Sequence, residues 1–374
     1  MQRRIEIKAL LKDAKGLKII MKEILLTGDT PTGKLHLGHY VGSLESRLRL
    51  QDEYDCFFII ANMHAFTTNI TNPELIRKSV LDITLDYLSV GLDPDKSTIF
   101  LQSEIPAIAD LTFYFSMLIS HSRLMRNPTI KSEIQDKGLG DKYPFGFLLY
   151  PIGQIADILA FRANIVPVGE DQLPHLELAN EVVRKFNNLY CGVNLTEDNQ
   201  DIDYVSLGGL FPHVKPLVGR IKRLVGITGP DGNGNLLKMS KSLNNSILLS
   251  DDADTVSKKI MKMYTDPNRL RATDPGTVEN NPLWIFHDAF NHDKSWVEDA
   301  KEQYRKGQTG DVVCKKKLVD VINDLLEPIR QKRKHYENNE DLLINVLKQG
   351  SDKANEVAEN TLKSVKESVK QFYF

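Results

Sequence analysis

The sequence predicts an α/β protein in which a Rossmann-type domain, built on a mostly parallel β-sheet, is followed by an all-helical domain. Two observations carry this. Short apolar runs alternate with longer segments of helical period in the first 210 residues, and strand signals fade after residue 250.

The strands are ILLTG at 24–28, FFIIA at 57–61, IFLQSE at 99–104 and IVPVGED at 165–171. Between the second and third, a helix over 73–90 is punctuated at both ends. Asn72 is its N-cap, Pro73 takes the first helical position where a missing N–H costs little, and Gly91 is the stop. Leu75, Val80, Ile83, Tyr87 and Leu88 supply its apolar residues. A Gly-rich stretch over 206–236, including GITGPDGNGN, separates this part from the amphipathic segments DDADTVSKKIMKMY, DVVCKKKLVDVINDLLEPIRQKRKHY and DKANEVAENTLKSVKESVKQF. The expected division is an N-terminal extension over 1–20, read as an appended helix with Met21 as an alternative start, then an α/β domain over 21–210. A connector over 211–250 and a helical domain over 251–374 follow.

With 374 residues, 41% of them apolar and 26% charged, the chain lies in the globular range and can bury two cores. No apolar run approaches the roughly 18 residues of a membrane span. The opening MQRRIEIKALLKDAKGLKII mixes charges of both signs into its apolar residues, which argues against a signal peptide and predicts a cytoplasmic protein. Cys56, Cys191 and Cys314 are scattered without a CxxC, so they read as buried small hydrophobes rather than a disulfide framework or a zinc site. The net charge of −2 provides no overall field toward nucleic acid, and any RNA contact must use local patches.

The first chemical feature, GDTPTGKLHLGHYVG at 28–42, follows the first strand. Gly28 through Lys34 fits the GxxxxGK spacing of a phosphate-binding P-loop, but Leu35 stands where a magnesium-holding hydroxyl is needed and Pro31 removes a backbone donor. His36 and His39 give a better reading. Three apart at a helix start, they share one face at the end that favours anions, so their imidazoles can donate to nucleotide phosphate oxygens while Gly38, lacking a Cβ, lets a base approach the backbone. The second feature, LLKMSKSLNN at 236–245, places Lys238 and Lys241 on either side of Met239 in a polar, mobile-looking loop.

HLGH and KMSKS, in that order and about 200 residues apart, resemble the two signatures of class I aminoacyl-tRNA synthetases. In the reaction this resemblance implies, an amino-acid carboxylate attacks the α-phosphate of ATP and pyrophosphate leaves. Such chemistry needs positioning and charge stabilisation, which histidines on one side and two lysines on a closing loop can provide. Lys241 is expected to make the principal pyrophosphate contact, with Lys238 beside it. Magnesium is expected with the nucleotide, since the sequence offers no dedicated cage for it.

The side chain that is read comes from the middle of the chain. YPIGQIADILAF, 150–161, starts with Tyr150, puts Pro151 in the first helical turn, and brings Gln154 and Asp157 to the Tyr150 face at i+4 and i+7. A carboxylate among Ile155, Ile158 and Leu159 is costly unless it meets a donor. An indole N–H is one such donor, a phenol hydroxyl another, and a structural ion-pair partner a third.

From residue 21 onward, GDTPTGKLHLGHYVGSL, RLMRNPTIKSE, YPIGQIADI, VPVGEDQLPHLEL, KMSKSLNN and YTDPNRLRATDPG resemble the corresponding blocks of bacterial tryptophanyl-tRNA synthetases. The resemblance implies that Thr30, Pro31, Thr32, Gly38 and His39 belong to the ATP site, together with Gly169, Glu170 and Asp171 of VGEDQ. Lys238, Met239, Ser240, Lys241 and Ser242 of the closing loop join them. It implies that Asp157 recognises the indole nitrogen, that the backbone of Leu224 touches adenine, that His64 with Tyr150 and Gln154 lines the tryptophan pocket, and that Lys131 contacts ATP. Asn62 and Met63 stand where the family more often has Asp-Gln. The implied partners are L-tryptophan, tRNA(Trp) and a second copy in a homodimer, with no membrane or DNA partner. The tyrosyl branch is the nearest alternative and a non-catalytic RNA-binding relative the next. Arg330, Lys332, Arg333, Lys334 and His335, with Lys315, Lys316 and Lys317 one helix-length upstream, form a basic cluster expected to grip tRNA, its plainer reading being a solvated helix face.

Overall fold

The computed structural model describes residues 22–374 except 137, 139, 141, 170–171, 195–201, 219–223, 242, 268 and 272. The expectations for the extension over 1–20 and for Glu170, Asp171 and Ser242 lie outside the described residues.

Five parallel strands form one sheet in the order β3-β2-β1-β4-β5, with β1 Ile24–Asp29, β2 Asp55–Ile60, β3 Ser97–Leu101, β4 Ile165–Val168 and β5 Lys215–Val218. The first four fall where the apolar runs placed them. β5 was not foreseen: Pro216 interrupts KPLV, and proline is tolerated in a strand chiefly at a sheet edge, which is where β5 lies. The chain runs outward from β1 to β3 and then returns to β4 on the other side of β1. A crevice therefore opens at the carboxyl ends of β1 and β4, the usual ligand position in such sheets.

After β1, the short turn Leu37–His39, a π-helical turn Tyr40–Leu44 and α1 Glu45–Glu53 run on as one helix. Next come α2 Asn62–Asn69, α3 Pro73–Val90, α4 Pro106–Ser116, α5 His121–Leu124, α6 Pro128–Asp136, α7 Phe145–Ala160 and α8 Leu173–Cys191. Helix α3 has the predicted bounds: the Asn72 side chain accepts from the Leu75 N–H, and Gly91 ends it at φ 109°, a conformation glycine adopts without strain. Helix α7 corrects the reading of Pro151. It begins at Phe145, because Phe147 is buried and draws that turn into the core, so Pro151 sits inside the helix and leaves one carbonyl of the preceding turn without its helical donor.

The helices after residue 250 are α9 Ala253–Met261, α10 Pro282–Phe290, α11 Lys294–Arg305, α12 Asp311–Tyr336 and α13 Glu340–Ser368. They share cores with the sheet. Leu318, Ile322 and Leu326 of α12 join Leu25, Phe58 and Leu44 on one face, while Ala354, Ala358 and Leu362 of α13 join Phe57, Phe100 and Val166 on the other. Helix α13 lies against edge strand β3. The Ser351 hydroxyl accepts the Leu101 N–H at 3.1 Å, and a Cβ at Gly350 would fall 1.8 Å from the Ile99 carbonyl oxygen.

This packing takes Arg333 and Lys315 out of the basic cluster expected to grip tRNA. Arg333 is buried and paired with Asp86 of α3. Lys315 is buried too, its ammonium donating to the Met263 carbonyl and to the Thr265 hydroxyl at 2.8 Å. Charges this deep stay ionised only when partnered, so these residues dock α12 rather than face solvent. Lys316, Lys332, Lys334 and His335 remain exposed.

Candidate active site

A cleft of about 420 Å³ opens at the carboxyl ends of β1 and β4. Thr30, Gly169, His64, Tyr150, Gln154 and Asp157, all anticipated from sequence, line it together with Asp29, Arg47 and Glu133, which were not. Pro31, Thr32, Gly38 and Lys131 do not line the cleft, and Lys131 projects outward from α6.

Asp157, at the cleft floor, is 3% exposed. The helical spacing does bring Tyr150, Gln154 and Asp157 to one lining. Yet Asp157 already meets protein donors. Nε2 of His64 donates to Oδ2 at 2.8 Å, and the Gln102 amide donates to Oδ1 at 2.8 Å and Oδ2 at 3.0 Å. A carboxylate only accepts, so the His64 proton is on Nε2. Gln102 is itself fixed, its carbonyl accepting the N–H groups of Met63 and His64 at the start of α2. Each carboxylate oxygen has two lone pairs, so Oδ1, which meets only Gln102 among the described residues, can accept one donor more. Gln102 escaped sequence reasoning because it lies 55 residues from Asp157, just past β3. The side chains of Asn62 and Met63 point away from the cleft lining. Asn62 exchanges two hydrogen bonds with Ser103, Met63 is exposed, and neither lines the cleft.

Tyr150 donates its hydroxyl to Glu133 at 3.0 Å; burial and that carboxylate push its pKa well up, which keeps it a neutral donor. At the β1 end, Arg47 lies 1% exposed. It donates to Asp29 at 2.9 Å and to the Tyr87 hydroxyl at 2.7 Å, and Tyr87 donates on to Asp29 at 2.7 Å. Burial alone would raise the Asp29 carboxyl, but Arg47 and Tyr87 outweigh it and hold it below the usual carboxylate range.

The two signatures meet beside this cleft. Leu37 N–H donates to the Ile247 carbonyl at 2.9 Å and Leu249 N–H to the Leu35 carbonyl at 3.0 Å, an antiparallel pairing of 35–37 with the segment that follows the lysine loop. His36 caps the turn: its Nδ1 accepts from the Gly38 N–H and Nδ1 of His39 accepts from the His36 N–H, both at 3.1 Å. Burial pushes His36 down to about 3, with the Lys241 cation adding to the effect, and burial lowers His39 as well. Both rings are therefore neutral with Nδ1 engaged, and their protons sit on Nε2, free to donate outward. A Cβ at Gly38 would come within 2.9 Å of the His36 ring and 3.7 Å of Met239 Cβ, so the glycine also makes room inside the protein.

The lysine loop is tied down, contrary to its mobile-looking composition. Met239 is buried, its N–H donates to the Leu224 carbonyl, and the Asn245 side chain, 0% exposed, bonds Ser240 N–H and the Lys238 carbonyl. Leu224, whose backbone was expected to touch adenine, uses its carbonyl to hold the loop. Lys241 reaches across to the Lys34 carbonyl at 3.1 Å; burial lowers its pKa while Asp86, Asp29 and Asp82 counter it. Lys238 is exposed and does not share this position.

Histidine donors and a lysine loop bridged together at the switch point of a parallel sheet, beside a cleft floored by a buried carboxylate, define a class I aminoacyl-tRNA synthetase site. Residues 21–327 match the family model described as tRNA synthetases class I (W and Y), and the chain belongs to that family. It is 48% identical over 357 residues to the Tryptophan--tRNA ligase of Streptococcus mutans serotype c, covering 94% of this chain and 99% of the relative. It is 47% identical over 355 residues to that of Clostridium longisporum, covering 94% and 98%. Among solved structures, the tryptophanyl-tRNA synthetase from Campylobacter jejuni complexed with ADP and tryptophan superposes with a TM-score of 0.76 at 29% identity, covering 93% of this chain and 99% of that one.

Proposed function

We infer that the enzyme activates L-tryptophan with ATP, giving tryptophanyl-adenylate and pyrophosphate, and then transfers tryptophan to tRNA(Trp). The observation that carries the amino-acid assignment is the buried Asp157 carboxylate, oriented by Gln102 and His64 with an Oδ1 lone pair to spare. An indole N–H in the cleft can donate to it, and a phenylalanine side chain would leave it unmatched.

The roles follow from position. Thr30, Gly169 and the turn bearing His36 and His39 flank the nucleotide site, where two Nε2–H groups donate to phosphate oxygens without adding a charge that must be desolvated. Lys241 supplies the cation toward the departing pyrophosphate, with Lys238 entering from solvent as the loop closes on ATP. Magnesium is proposed to arrive on the ATP phosphates. Among the described residues no helix is long and apolar enough to cross a membrane, and the proposed location is cytoplasmic. Phe113 of α4 and Met117 just past its end, 67% and 68% exposed, support a homodimer.

Amino-acid-dependent ATP–pyrophosphate exchange tests this reading. Exchange with tryptophan and at most a trace with tyrosine is expected; exchange driven by tyrosine, or by neither, refutes it.

A further inference from the structure

The geometry points to Asp86, held by Arg333 of α12, as a positioning residue for the ATP site. This rests on the reading that 34–39 and Lys241 bind ATP. Asp86 lies in the middle of α3, 0% exposed, and belongs to neither signature. Its Oδ2 accepts the Leu35 N–H at 2.8 Å, one residue before His36, and its Oδ1 accepts from the Arg333 guanidinium, whose other nitrogen lies 3.9 Å from Asp82.

The signature segment is consequently gripped from two sides. The run 247–249 pairs with Leu35 and Leu37 on one side, and the Asp86 carboxylate holds the Leu35 N–H on the other. The Lys34 carbonyl, next along the chain, is the acceptor of Lys241. A shift of Leu35 thus moves His36 and the seat of Lys241 together. Asp86 also acts on that lysine through its charge, which favours the ammonium form against burial. Burial pushes the Asp86 carboxyl up to about 6, and the Arg333 guanidinium opposes that rise. A displacement of α12 is therefore felt at the nucleotide site through one side chain.

The test is pyrophosphate exchange with ATP and tryptophan varied separately, alongside thermal melts. Asp86→Asn keeps the size but loses the charge; it is expected to raise KM for ATP at least fivefold while KM for tryptophan stays within twofold. Arg333→Lys retains a cation with fewer donors and is expected to fold and to raise KM for ATP about threefold. Lys334→Ala, exposed on the same helix, should leave both constants unchanged. A purely structural ion pair predicts a lower melting temperature with both KM values unchanged in the folded fraction, or both raised alike. Either result in Arg333→Lys, whatever the fate of Asp86→Asn, overturns the proposal. Loss of tryptophan-dependent exchange by the unsubstituted enzyme would instead count against the proposed function.

Discussion

Replacing Asp157 with asparagine removes one charge from the cleft floor and changes little in volume. The wild-type carboxylate accepts from His64 and from Gln102, with Oδ1 held toward the Gln102 amide. In the variant the amide oxygen is expected to stay at Oδ1, facing the Gln102 donor. The new NH2 then takes the Oδ2 place and opposes the His64 proton until that ring moves its proton to Nδ1 and accepts instead. That rearrangement spares the fold, so the melting temperature should fall only modestly. What is lost is the charge assistance to an indole N–H, about 1–1.5 kcal/mol, the difference between a hydrogen bond to a charged and to a neutral acceptor. This converts to about a 5- to 13-fold decrease in kcat/KM for tryptophan in pyrophosphate exchange, with KM for ATP unchanged. A decrease smaller than about threefold, below roughly 0.7 kcal/mol, would show that Asp157 does not read the substrate.

Lys241→Ala should slow adenylate formation by about 10²–10³-fold, the usual loss for one donor aimed at developing charge, while tryptophan affinity measured by equilibrium dialysis stays the same; a large loss of affinity at normal turnover would refute the assignment. Gly350→Ala pushes a methyl into the Ile99 carbonyl and should destabilise the fold by at least about 3 kcal/mol in urea melts, whereas a neutral result would mean that α13 does not seat on β3 as described. Stability should fall as pH drops from 6.5 to 4, because burial pushes His287 down to about 4 from the ordinary histidine value of 6.5. In that window the unfolded chain takes up a proton that the folded chain does not, so the stabilisation is complete above 6.5 and lost toward 4. His287→Gln should flatten the slope by about one proton, and an unaltered slope would remove His287 from the acid response.

How much of this was legible depended on sequence distance. Helix α3 was read to the residue because Asn72, Pro73 and Gly91 act within one turn of themselves. Asp157 was singled out for a local reason, a carboxylate in an apolar helix. Of its donors, His64 was named only through the family resemblance and Gln102 not at all, since they lie 93 and 55 residues away and become neighbours only when the sheet forms. Pro151 was misread for the opposite reason: a strong local signal for a helix start was overridden by burial of Phe147 one turn earlier. Arg333 sits in a run of cations that looks like a nucleic-acid patch, and the acidic partner that buries it is 247 residues distant. Sequence spacing located the groups proposed to do chemistry, whereas the groups that hold them came from the topology.

The seating of α13 on β3 has a consequence during synthesis. The last strand residue, Leu101, leaves the ribosome roughly 240 residues before the first residue of α13, Glu340, which at about 5–20 residues per second is an interval of about 10–50 s. Throughout it the nascent sheet carries a bare, strongly apolar flank of the kind that recruits other strands. Messages cut short before residue 340 would leave that flank open permanently. Such fragments should be sticky and quickly degraded, and a holding chaperone would find its binding site there until the final helix arrives to close it.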